Sequence, residues 1–302
     1  SYAEYDRYQG NNQGTSEEII TCIGHEIRGQ RKNGSIFPLD FTVSEVRMGN
    51  QQMFTCFVRD ITERKRAEQE RLQLAAIQRE LTIAHDIQQG LLPEPKPDWP
   101  DFDVICYNAP AREVGGDFYS YHVFDTTLHP PNESRNRKRK FALTIGDVSG
   151  KGVSASLLMA TILSRFDAAF SFDFTPAERL VYLDRAILPY TEPRGQNCAL
   201  CYVELDLTDV DFQSFKTHHT PVTLRVVNAG GIPPYVKRTD GSVEYLEIGG
   251  MPLGLGIGAK IGYQEVRTNL STGDMVILTS DGVTEATTSA DDMFGFERLE
   301  AA

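Results

Sequence analysis

No apolar run in this chain approaches the roughly 18 residues that a membrane-crossing helix needs. A bilayer-spanning role is therefore not expected. The opening SYAEYDRYQG lacks a basic stretch followed by an apolar core, so no secretion signal is visible. Cysteine is scarce, with five in 302 residues: Cys22, Cys56, Cys106, Cys198 and Cys201. A small odd number argues against a disulfide framework and fits a reducing, cytoplasmic setting. Basic charge is also in deficit. The 30 Lys and Arg against 42 Asp and Glu leave a net charge of -12. A general nucleic-acid binder would need the opposite balance. Cys198-Ala-Leu-Cys201 has metal-site spacing, but NCALCYVELD reads as a strand. Positions i and i+3 of a strand face opposite sides, and no second C-x-x-C follows, so zinc is not expected.

What is present centres on Phe141 to Ala160, FALTIGDVSGKGVSASLLMA. Phe141, Leu143 and Ile145 alternate with smaller residues, as in a strand entering a core. Asp147 ends that strand. Gly150 and Gly152 permit a sharp turn, and from Val153 the apolar spacing becomes helical. A strand-end carboxylate beside such a turn can hold a hard cation through oxygen ligands. It can equally cap the following helix. A phosphate-binding P-loop is excluded, because Gly146 and Gly150 are too close and Gly152 follows Lys151.

Along the chain, Thr21 to Arg31, Ser35 to Met48 and Gln51 to Ile61 read as three strands joined by turns at Asn33-Gly34 and Gly49-Asn50. Residues 62 to 92 read as one helix. Ala67, Leu74, Ile77, Leu81, Ala84 and Leu91 fall on heptad a and d positions, interrupted by Glu70 and Gln88. The spacing favours a parallel dimeric coiled coil over a helix packed on its own domain. Pro93, Pro95, Pro97 and Pro100 then mark a boundary. Beyond it, Phe102 to Ala109, Asp117 to Phe124 and Phe141 to Val148 read as strands. Thr175-Pro176-Ala177-Glu178 is a capping box opening a second helix. Six further strands are expected near 197–206, 222–229, 233–238, 243–248, 263–269 and 274–280. Strands on either side of two helices predict an α+β sandwich. The basic run 135–140 reads as a solvated loop. Three aspartates share a strand-end setting beside small residues: Asp117 in EVGGDFY, Asp147 in GDVSGKG and Asp281 in LTSDGVTEA. Together they suggest one acidic pocket, whose all-oxygen donors suit Mg²⁺ or Mn²⁺.

GQRKNGSIFPLDFTVSEV and FTCFVRDITERKRAE resemble the closing strands and exit of PAS sensor domains. PAREVGGDFY, GDVSGKGVSASLLMA, NAGGIPP, GMPLGL and TSDGVTEA, in this order, resemble the motifs of SpoIIE/RsbU-type serine phosphatases. Those form the bacterial branch of the PPM (protein phosphatase 2C-like) family. The resemblances imply three parts: residues 1–61 as the C-terminal part of a PAS domain, 62–92 as a helical, coiled-coil linker, and 93–302 as the phosphatase domain. The implied fold is an α-β-β-α sandwich of two antiparallel sheets flanked by helices. The implied activity is metal-dependent hydrolysis of phosphoserine or phosphothreonine on a protein, with a STAS-type anti-sigma-factor antagonist as substrate. By the same resemblance Asp147 would bridge two Mn²⁺ or Mg²⁺ ions, with the Val148 carbonyl on the first. Asp281 would hold the second, Asp117 would act through water that the ions hold, and Arg112 would bind the substrate phosphate. A homodimer through the linker is implied as well. Two departures stand against this. No D-[DN]-x-T-like motif, which closes the second metal site in relatives, occurs by Ala302, and Gly231 stands where relatives often have His. The alternative expectation is an inactive dimeric sensor scaffold, its phosphatase domain truncated.

Overall fold

The computed structural model describes residues 25–48, 51–99, 102–111, 113–125, 139–207, 222–288 and 292–301. Arg112, Cys22, the Gly49-Asn50 turn, Pro100 and residues 135–138 of the basic run lie outside them. The chain forms two compact units, Ser1–Arg79 and Glu80–Ala302.

In the first unit, β1 (His25–Gln30), β2 (Ile36–Met48) and β3 (Gln51–Asp60) form an antiparallel meander in the order β1-β2-β3. Gly34 has φ 86°, the left-handed value its hairpin turn needs. Leu39 and Ile61 are buried, whereas Ile36, Phe54, Phe57 and Val58 stay exposed. Helix α1 (Thr62–Gln89) starts where the Asp60 carboxylate accepts hydrogen bonds from the Thr62 backbone N–H and hydroxyl, at 3.0 and 2.6 Å. Glu26 of β1 pairs with Arg64 and Lys65 in the first helical turn.

The second unit is built on a five-stranded antiparallel sheet in the order β10-β7-β6-β5-β4. Its strands are β4 (Phe118–Asp125), β5 (Arg139–Val148), β6 (Cys198–Asp206), β7 (Val222–Ala229) and β10 (Glu265–Leu270). A three-stranded sheet, β11-β8-β9, contains β8 (Tyr235–Lys237), β9 (Val243–Tyr245) and β11 (Met275–Ile277). Helices α2 (Val153–Ala169) and α3 (Pro176–Thr191) cover the larger sheet. Strand alternation explains why both faces of that sheet are dry. Cys198, Leu200 and Tyr202 of β6 pack with Met159, Ile162 and Phe166 of α2. Cys201, Val203 and Leu205 pack instead with Val236 and Leu246 beneath the second sheet. The two thiols of the C-x-x-C sequence thus enter different cores, and burial pushes both thiol pKa values up. The architecture is the expected α+β sandwich, two antiparallel sheets face to face with helices over the larger one.

Two expectations change. Phe102 to Ala109 is no strand. Its alternation is real, since Phe102 and Val104 lean on the core while Ile105 and Tyr107 are exposed. No ladder forms, however. The segment is held by isolated bonds, from Cys106 N–H to the Pro95 carbonyl at 2.7 Å and from Asn108 Nδ2 to the Asp117 carbonyl at 3.2 Å. Secondly, between Leu81 and Gln88 the heptad seam of α1 faces its own domain, while Leu91, beyond the helix, is exposed. Leu81 and Ala84 are half-buried and Gln88 is buried. Over that last third of the helix the packed-helix alternative holds, because a polar a position has found backbone partners. Among the described residues, no helix is long and apolar enough to cross a membrane.

The capping box forms as expected. Thr175 Oγ1 accepts from the Glu178 N–H at 3.3 Å, and Glu178 Oε2 accepts from the Thr175 N–H at 2.9 Å. One staple was not foreseen. The buried Asp184 of α3 accepts three backbone N–H bonds, from Gly254 (2.6 Å), Gly256 (3.2 Å) and Ala259 (2.6 Å). It fixes the loop that leads from Leu253 into α4 (Gly258–Ile261). Asp184→Ala orphans these donors and should cost about 3 kcal/mol in urea denaturation. A loss below about 1 kcal/mol would mean that water replaces the carboxylate.

Candidate active site

Asp147 is the penultimate residue of β5, paired with Ala199 of β6. The two-residue period places it on the same face as Ile145 and Leu143, toward the second sheet. The following turn is closed by Ser149 N–H to the Asn197 carbonyl at 2.9 Å and by Asn197 N–H to Ser149 Oγ at 2.8 Å. Gly150 and Gly152 have φ 100° and 74°, values that other residues rarely adopt. Helix α2 then begins at Val153 with Gly152 as its N-cap and no side-chain cap bond. The capping alternative for Asp147 therefore fails, and its carboxylate is left for another purpose.

Asp117 stands immediately before β4, at the end of the loop Gly115-Gly116. Gln88 of α1 grips this loop like a neighbouring strand, accepting from Gly115 N–H at 3.1 Å and donating to its carbonyl at 2.7 Å. Gly116 lies against β5, its carbonyl accepting from Val148 N–H at 3.3 Å. Asp281 opens the short helix α5 (Asp281–Thr284) just after β11. Three distant pieces of chain therefore deliver Asp117, Asp147 and Asp281 to one point, where each offers a carboxylate oxygen within 4.8 Å of the others.

This arrangement is electrostatically unfavourable without a cation. Burial, then the charges of Asp117, Asp281 and Glu285, raise Asp147 to about 7 against an ordinary 3.8. Burial also raises Asp117, as does the Asp281 charge, while a hydrogen bond from Ser280 opposes the shift. Asp117 Oδ1 is nonetheless buried without a hydrogen-bond partner. Three carboxylates, an orphaned oxygen and no sulfur or imidazole in the cluster make a donor set that fits a hard divalent cation.

Beside the carboxylates lies a cavity of about 60 Å³, lined by Ile145, Ala199, Gly230, Gly231, Ile232 and Thr279 among others. Asn228 shapes its rim, accepting from Gly231 N–H at 2.9 Å and donating to the carbonyls of Gly231 and Ile248, both at 2.8 Å. The sequence groups the three aspartates but marks no role for Asn228, Ser280 or Glu285, although all three lie within the motifs NAGGIPP and TSDGVTEA. In the sequence Gln88 stands out only as a polar interruption of a heptad.

Residues 137–302 match the family described as Stage II sporulation protein E (SpoIIE). The chain belongs to the SpoIIE family. It is 29% identical over 212 residues to the phosphoserine phosphatase RsbU of Bacillus subtilis (strain 168), a match covering 70% of this chain and 55% of RsbU. It is 34% identical over 103 residues to the sensor protein FixL of Bradyrhizobium diazoefficiens, covering 30% of this chain and 20% of FixL. The chain thus spans about half of the first relative and a fifth of the second. Among solved structures, the SiaA-PP2C domain of Pseudomonas aeruginosa superposes with TM-score 0.52 at 19% identity, over 76% of this chain and 82% of that one. That likeness shows a shared fold.

Proposed function

We propose that this SpoIIE-family chain is a protein serine/threonine phosphatase that uses divalent cations, Mn²⁺ or Mg²⁺, held by Asp117, Asp147 and Asp281. The observation that carries the reading is the convergence of those carboxylates, one of them with an unpartnered buried oxygen. The Val148 carbonyl, next to Asp147, would be a further oxygen donor in the same reading, and the complete site would hold two ions. Such cations supply Lewis acidity, lowering the pKa of a water and offsetting phosphoryl charge.

The chain's own groups favour water as the attacking species. Ser149 Oγ is engaged by the Asn197 N–H, and burial raises the Cys106 thiol. Neither is a ready nucleophile. Asp117, whose Oδ1 lacks a protein donor, would act on the attacking water through the cation site. Ala199, Gly230 and Gly231 add little bulk beside Asp147, which keeps the cavity open to a phosphoryl group. Water oxygen then bonds to phosphorus as the bond to the serine or threonine oxygen breaks, and the proton that the water gives up passes to that leaving oxygen, which departs as a free hydroxyl. Arg112 is the proposed phosphate ligand, a role its guanidinium fork suits.

The further reading assigns 1–61 to a PAS sensor, 62–92 to a linker and 93–302 to the catalytic domain. The meander and its Asp60-Ile61-Thr62 exit support the first assignment, as does the likeness to a sensor protein. A phosphorylated STAS-type anti-sigma antagonist as substrate, homodimerisation through the linker and a cytoplasmic location complete the proposal. The test is phosphate release from a phosphoserine peptide. It should require Mn²⁺ or Mg²⁺ and stop in excess EDTA. Turnover that is indifferent to EDTA, or absent with both cations, overturns the reading.

A further inference from the structure

We infer that Gln196, in a stretch to which sequence reasoning assigned no chemistry, is a positioning residue for the acidic site. The turn after Asp147 has little stiffness of its own. Two of its four residues are glycines at positive φ, and α2 has no side-chain cap at its start. Conformational freedom there is high, because glycine takes either sign of φ at little cost. Something outside the turn must hold it.

Gln196 is placed to do so. Its backbone is anchored at the end of α3, its N–H donating to the Thr191 carbonyl at 3.1 Å, just after Gly195 turns the chain with φ 59°. From that anchor its side chain crosses to the turn. Nε2 donates to the Ser149 carbonyl at 3.0 Å, and Oε1 accepts from the Ser154 hydroxyl at 3.1 Å. One amide thereby spans the turn, with one bond before Gly150 and one in the first turn of α2. Together with the reciprocal Ser149–Asn197 pair, it ties the residue that follows Val148 to a rigid helix end. The aim of Asp147 and of the Val148 carbonyl depends on that tie. Gln196 touches neither substrate nor ion. It acts through Ser149 and Ser154, as supporting partners of metal ligands do.

The metal-affinity arm of the test rests on the phosphatase reading, but the backbone arm does not. In the cation-free full chain, Gln196→Ala should speed amide hydrogen exchange at Ser149 about tenfold with the melting temperature close to that of the wild type. Mn²⁺ affinity, titrated with the metal alone, should weaken about tenfold. Gln196→Glu keeps the acceptor for Ser154 but faces the Ser149 carbonyl with a second acceptor. It should not rescue, whereas a role in packing alone would tolerate it. Ser154→Ala, at an exposed position, removes one arm and should show the same changes at smaller amplitude. Exchange and Mn²⁺ affinity within twofold of wild type in Gln196→Ala overturn the inference. If Asp147→Asn also leaves Mn²⁺ affinity intact, the site reading has failed instead, and the exchange rate at Ser149 still decides the role of Gln196.

Discussion

Asp147→Asn should abolish Mn²⁺-dependent phosphate release to beyond about 10²-fold, past the range that supporting residues cost, while making the cation-free chain more stable above pH 7. The two effects share one cause. The carboxylate sits among Asp117, Asp281 and Glu285, partly buried, and its pKa stands at about 7 instead of 3.8. Below about pH 4 the group is protonated in both folded and unfolded chains and contributes nothing. Between about 4 and 7 the unfolded chain gives up this proton while the folded chain keeps it. The unfolded state then binds fewer protons, so stability falls as pH rises, and the loss is complete above the folded pKa. Asparagine cannot ionise and escapes the loss.

Thermal melts in EDTA at pH 5 and pH 8 measure this directly. The wild type should lose more stability between the two than the variant does. Adding Mn²⁺ at pH 8 should restore the wild type and leave the variant unchanged, because the ion needs the ionised carboxylate. At pH 5 the wild type should respond weakly. Superimposable pH profiles for the two proteins would show that Asp147 does not carry the strain. Retained turnover in the variant would remove it from the reaction.

The parts legible in the sequence were those in which one local rule acted alone. β6 and β7 are short apolar runs buried on both faces, and such runs announce themselves. The capping box at Thr175 is a four-residue device and formed as read. The three aspartates could be grouped because each combined a strand end with small neighbours. Where two rules competed, the sequence was ambiguous. Phe102 and Val104 alternate like strand residues, yet the chain there is held by single bonds to Pro95 and Asp117 and pairs with no strand among the described residues. Gln88 interrupts a heptad, but its amide matches a backbone pair on Gly115 that no helical pattern can reveal. Gln196 and Asp184 were silent for the same reason. Each acts on backbone groups far away in the chain, and a backbone group carries no signature in the sequence.

Gly116 is the case in which that silence has the largest consequence. A Cβ at this position would stand 2.4 Å from the Val148 carbonyl oxygen, 2.9 Å from Asp147 Oδ1 and 3.0 Å from Val148 N. Two of these atoms are backbone in the central sheet, and the third is a short side chain with little room to retreat. The glycine is needed for close approach, since its φ is not in the left-handed region. Gly116→Ala must therefore push the Asp117 loop away from β5 by something near 1 Å. It breaks the bond from Val148 N–H and separates carboxylates that now lie within 4.8 Å. A misplacement of that size costs about 10²-fold in rate, so turnover and Mn²⁺ affinity should both collapse. Overpacking at a loop should lower stability by only about 1–3 kcal/mol. Gly115→Ala is the control, because its nearest contact would be Pro110 Cβ at 3.4 Å, an ordinary separation. It should bind Mn²⁺ nearly as the wild type does. Wild-type affinity in Gly116→Ala as well would mean that the loop can retreat without moving Asp117, and that the contact between Gly116 and β5 does not set the spacing of the carboxylates.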